Sequence, residues 1–184
     1  MCGCWISSSR TITKSKGSAN DWRSFRTVPE IRFYHLTRKS LEEALPDLLG
    51  RSLDRGWRAV VKARSEERTE ALNQHLWTFD DRAFLPHGSE KDGRPGLQPI
   101  WLTMEDENPN GAQVLFLADG ADTANSALFE TVCVLFDGRD DEAVARARGQ
   151  WKVFKDAGHP MTYWQQNERG GWEKKQETAG AGAS

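Results

Sequence analysis

Short apolar runs alternate with capped amphipathic segments from residue 31 to residue 157, and this alternation constrains the chain more than any other feature. A run of a few apolar, β-branched or aromatic residues reads as a strand. A polar cap followed by apolar residues at i, i+3, i+4 and i+7 reads as a helix. Strands that take turns with helices build an α/β sandwich, with helices on both faces of one sheet.

Ile31 to Leu36 are the first such run. Ser40-Leu41-Glu42-Glu43 has the form of a capping box, in which Ser40 bonds the first turn and Glu43 reaches back. Leu41, Ala44, Leu45, Leu48 and Leu49 recur at helical spacing, and Gly50 or Gly56 can end the helix. Pro46 lies inside this run and either limits the first turn or kinks the helix. Trp57 to Ala63 read as a second strand, and Ser65 as the cap of a helix through Ala71, Leu72 and Trp77. Residues 80–99, rich in Gly, Pro and charge, read as a long loop. Ile100–Thr103 and Gln113–Leu117 are two more strands. Only about eight residues join them, fewer than a parallel crossover ordinarily uses, so these two are expected to pair antiparallel and make the sheet mixed. Phe129 to Phe136 form a further strand with its approach, Asp140 opens a helix to Ala157 closed by Gly158, and Thr162-Tyr163-Trp164 is a last edge strand.

The foldable sequence is bounded by two tails. Residues 1–28 are Ser-rich, and residues 1–27 hold five bases (Arg10, Lys14, Lys16, Arg23, Arg26) against one acid, Asp21. Such a segment cannot bury a core and is expected to be disordered. A translation start at Val28, a presequence and a functional basic arm are three readings of it. Residues 167–184, with Gly170-Gly171 and a low-complexity end, read as a flexible C-terminal tail. The domain is then 29–166.

Charge and composition exclude several classes. The chain has 184 residues, enough for one cored domain, and 28% of them are charged. No apolar run approaches the ~18 residues of a membrane span. Beyond residue 27 there remain 20 of the 25 bases and 26 of the 27 acids. That balance opposes direct binding to a nucleic-acid backbone. Three cysteines, with no secretory apolar segment, point to a reducing cytoplasm. The histidines, at 35, 75, 87 and 159, are scattered, so no metal and no cofactor is expected.

Catalytic signatures are missing. There is no GxxxxGK[ST] phosphate loop, no GxGxxG after the first strand and no GxSxG elbow. Cys133, flanked by Val132 and Val134, reads as a buried strand cysteine, and His87 as a structural loop histidine. Two clusters stand out. Trp77, Phe79, Phe84, Leu85 and Pro86 put three aromatics at a helix end and the loop after it, either as a satellite core or as a partner surface. Arg148, Lys152 and Lys155 lie at i, i+4 and i+7 on one helix face, with Trp151 between that face and the apolar stripe of Ala143, Ala147 and Phe154. Such a row is either a solvated face or a seat for an acidic, apolar-ended peptide.

Taken in order, several of these segments resemble the chi subunit of bacterial DNA polymerase III. They are Arg32-Phe33-Tyr34-His35-Leu36, Ala71 to Trp77, Ala83-Phe84-Leu85-Pro86-His87-Gly88, Pro99-Ile100-Trp101-Leu102, Glu107 to Gly111, and Arg148 to Gly158. The resemblance covers residues 30 to about 165 and implies a single Rossmann-like three-layer α/β domain. It also implies an adaptor without catalytic activity of its own. In that family chi pairs with a psi subunit in the clamp loader and grips the acidic C-terminal tail of single-stranded DNA-binding protein. The resemblance makes Arg148, Trp151 and Lys152 the tail-binding residues. It places Trp77 and Phe84 on the psi side, a surface that in some members also receives a repair helicase. The alternative from another class is a small phosphate- or nucleotide-using α/β enzyme.

Overall fold

The computed structural model describes residues 28–180. The expectations for residues 1–27 lie outside the described residues. In chain order the elements are β1 (Glu30–Leu36), α1 (Leu41–Asp54), β2 (Ala59–Lys62), α2 (Glu66–Thr78), β3 (His87–Ser89), β4 (Ile100–Thr103), β5 (Val114–Leu117), β6 (Thr131–Asp137), α3 (Asp141–Asp156), β7 (Met161–Gln166) and β8 (Trp172–Thr178). They build one mixed sheet in the order β3-β4-β2-β5-β6-β1-β7-β8. Every neighbouring pair is parallel except β7 and β8.

Two cores flank the sheet, as the alternation of strands and helices requires. On one side α1 and α2 bring Leu45, Leu49, Leu72 and Leu76 onto Leu36, Val61, Leu102 and Leu135. On the other, α3 brings Ala147 and Phe154 onto Ile31, Phe33, Val132 and Val134. β6 is buried from Thr131 to Phe136, the behaviour of a strand covered on both faces.

The capping box at Ser40 forms as expected, with Ser40 and Glu43 each bonding the other's backbone N–H. α1 runs through Pro46 without ending. Proline has no N–H, so the carbonyl four residues earlier, that of Glu42, loses its helical donor. His75 of α2 supplies one: its Nε2 lies 2.9 Å from the Glu42 oxygen. A break within one helix thus becomes a bond between two.

Three features depart from the sequence expectations. β4 and β5 do not pair antiparallel; both lie parallel to β2, which separates them. The rule of a dozen residues assumes a helical crossover, whereas these strands have four residues each and need only a short return. Residues 104–113 make it. Asn110 Nδ2 bonds the Ala59 and Gln98 carbonyls, Asn108 brackets Ala112, and Gly111 turns the chain at φ +65°. Second, His87–Ser89 within the long loop add a short edge strand. Third, the segment expected as a flexible tail from residue 167 contains β8, paired with β7 from Gln166↔Trp172 to Met161↔Thr178. Gly170 at φ +74° makes the turn, and Asn167 Oδ1 accepts from the N–H groups of Arg169 and Gly171. β8 carries four charges in seven residues and so lacks an apolar run, yet it forms because it needs only one strand partner and one packed side chain, Trp172.

Candidate functional site

The C-terminal ends of β1 and β6 are where ligands settle in sheets of this kind, because the chain leaves those two strands in opposite directions. Here that crevice, about 310 Å3 in volume, is lined by the chain's own ion pairs. Arg68 bridges Glu42 and Asp119, bonding the latter at 2.6 Å. Asp137 and Asp140 also line it, so four carboxylates face two arginines, Arg68 and Arg146. The α1 and α3 N-termini, which elsewhere hold phosphate, are occupied by Ser40, Glu43 and Asp140. The crevice therefore has the wrong sign for a nucleotide.

A different recess forms beside it, between α3 and the β1–β7 edge, with a volume of about 230 Å3. Strand alternation sends Phe33 and His35 of β1 to this face. Trp151 covers Phe33 with ring centroids 4.9 Å apart and meets Tyr163 edge-on at 6.2 Å. His35 stacks on Phe136 at 5.0 Å, and its Nδ1 lies 2.6 Å from the Tyr163 hydroxyl. Arg148 stands at the mouth, exposed, and among the described residues no carboxylate pairs with it. Burial pushes the Tyr163 phenol up, while the nearby Arg148 charge draws it down. The result is an aromatic cleft with one uncommitted guanidinium at its rim.

Of the three residues expected to bind a peptide tail, Arg148 and Trp151 both line this cleft; Lys152 is exposed one turn on and does not. Sequence reasoning left out Phe33, His35, Phe136, Tyr163 and Gln176. The i, i+2 pair Phe33–His35 carried a signal. Gln176 carried none, since it sits on β8 in the segment read as a tail.

Gly138 lets this wall close. A Cβ there would fall 1.7 Å from His35 Nε2, and the ring is held by Phe136 and Tyr163. Gly138→Ala is expected to cost roughly 1–2 kcal/mol of stability by overpacking. Thermal unfolding checks this; an unchanged midpoint would mean that the imidazole turns aside freely.

His35 also makes stability depend on pH. Burial lowers its proton affinity, against the opposing pull of Asp137. The unfolded chain binds this proton near pH ~6.5, and the folded state only lower. The neutral ring's contribution is thus complete above ~6.5 and is lost as pH falls toward the folded value. The acid-side slope of the melting temperature should flatten in His35→Gln, and an identical slope in both proteins would contradict it.

The aromatic cluster at the end of α2 divides in two. Leu85 is buried and Phe79 packs against the core, fixing the loop. His87 is buried, with Nδ1 2.6 Å from the Leu85 carbonyl and Nε2 3.2 Å from that of Asn73, so its role is structural. Trp77 and Phe84 remain 56% and 69% exposed, their rings 5.9 Å apart. Cys133 is buried and its thiol pushed up to about 12 by burial, as a strand cysteine should be. Among the described residues, no group of three metal-binding side chains forms, and no helix is long and apolar enough to cross a membrane.

A family model described as "DNA polymerase III chi subunit, HolC" matches residues 28–162. A curated relative, "Probable DNA polymerase III subunit chi" of Rickettsia prowazekii (strain Madrid E), is 31% identical over 101 residues. That alignment covers 55% of this chain and 61% of the relative, less than two thirds of its length. With the mixed α/β sheet and the family model over most of the domain, the chain belongs to the chi subunit family of DNA polymerase III.

Proposed function

We propose that the protein is a replication adaptor without catalytic activity of its own, tethering single-stranded DNA-binding protein to the clamp loader. The observation that carries this reading is the uncommitted Arg148 guanidinium at the mouth of the Trp151–Tyr163 cleft. A peptide ending in an apolar residue suits such a place: the ring enters the cleft, the terminal carboxylate meets the arginine, and acidic residues before it lie along Lys152 and Lys155. Trp77 and Phe84 are read as the seat of psi, or of a substitute for it, and of a repair helicase where one binds. α2 and α3 lie on opposite faces of the sheet, so both partners can be held at once. The acidic lining of the crevice at β1 and β6 gives the alternative, a nucleotide-using enzyme, no support.

The test is calorimetric titration with the C-terminal tail peptide of the cognate single-stranded DNA-binding protein. One-to-one binding that weakens with salt is expected, because Arg148 and Lys152 meet a charged partner. Absence of binding to the folded protein would sink the tether.

A further inference from the structure

On the opposite face of the sheet, α1 and the β7–β8 hairpin enclose a second recess of about 120 Å3. The same alternation that sends Phe33 and His35 toward α3 sends Arg32 and Tyr34 toward α1. Arg51 and Arg55, four apart at the end of α1, meet Arg32 there. Trp57, Trp164 and Trp172 supply aromatic walls.

The arginines are incompletely satisfied. Arg32 bonds Glu30 through Nη2 at 2.6 Å, while its Nε is buried without an acceptor. Among the described residues, Arg51 and Arg55 pair with no carboxylate. The dipole of α1 favours a base in its last turn. It does not account for an orphaned Nε on the neighbouring strand facing the same recess. Three like charges repel one another, and Glu30 balances only one. Arg55 also lies over the Trp57 ring, 5.8 Å from its centroid, and an anion in the recess would offset the remaining charge.

We propose that this recess is a second partner site, one that receives the carboxylate of an acidic side chain on a peptide while a neighbouring aromatic side chain lies against Trp57 and Trp172. A peptide fits better than single-stranded nucleic acid on two grounds. The positive charge is an island, since beyond residue 27 acids outnumber bases 26 to 20 and would repel a polyanion leaving it. The outer edge of β8 has no strand partner among the described residues, so an extended peptide can add there as a ninth strand, beside Trp172.

The probe is a blocked pentapeptide of alternating Glu and Phe, added to the full-length Arg148→Glu protein so that the cleft on α3 does not contribute. Nuclear magnetic resonance follows the indole N–H signals of Trp57, Trp164 and Trp172, assigned by single Trp→Phe replacements. Saturable shifts at these three are expected. Arg51→Glu with Arg55→Glu should weaken binding at least tenfold with an unchanged circular dichroism spectrum. Arg51→Gln with Arg55→Gln serves if charge reversal disturbs the fold, and should also weaken it. Absence of shifts at millimolar peptide, or an affinity indifferent to these replacements, overturns the proposal. So does a blocked oligothymidylate that shifts the same signals more tightly than the peptide.

Discussion

Trp77→Ala and Phe84→Ala are each expected to weaken the clamp-loader-side partner by about 2 kcal/mol, some thirtyfold, and to leave tail binding unchanged. Both side chains are more than half exposed in the free chain, so truncation removes little that holds the fold together. Their value would arise on binding, when a rigid pair of rings 5.9 Å apart is taken out of water by a partner's apolar side chains. The loop that presents Phe84 is anchored by Leu85 and His87 beneath it. Leu85→Ala is the matched contrast, expected to lower thermal stability because it opens a cavity. Titration of the partner into each variant, beside its melting curve, separates the outcomes. If both surface variants unfold, the rings belong to the core. If both bind like the parent, the partner docks elsewhere.

The fold was legible wherever one chemical rule decides the local structure. Ser40 and Glu43 announce the start of α1, and the unbroken apolar run of β6 announces a strand buried on both sides. The rule failed where strand length, and not loop length alone, decides the topology: four-residue strands let residues 104–113 return to the same end of the sheet. It failed again at β8, whose strand character comes from pairing with β7 and from Trp172, and is absent from its own charged sequence.

The site was half legible for the same reason. A helix displays its face in sequence, so the i, i+4 spacing put Arg148 and Lys152 together and set Trp151 at their edge. The opposite wall comes from β1, β6, β7 and β8, and sequence alone does not tell which strands lie adjacent. Nor does spacing reveal depth. Arg148 borders the cleft and Lys152 does not, although the two are one turn apart on one face.

That difference in depth ranks the variants of α3. Arg148→Ala is expected to cost on the order of 2 kcal/mol, some thirtyfold, in affinity for the tail peptide of single-stranded DNA-binding protein. A guanidinium holding a terminal carboxylate makes two charge-assisted hydrogen bonds, stronger than neutral ones, beside aromatic walls that exclude water. Lys152→Ala should cost less, because a point charge in open solvent is screened. Arg148→Lys should recover part of the loss, since lysine keeps the charge and lacks the planar fork. Raising salt should erode the Lys152 contribution first and leave a residue of binding from the apolar side chain against Trp151 and Tyr163. Calorimetry on the parent and three variants, with circular dichroism confirming each fold, reads all four expectations. A folded Arg148→Ala protein with undiminished affinity would remove the cleft from the model, and equal losses at Arg148 and Lys152 would mean the tail lies along the helix without entering it.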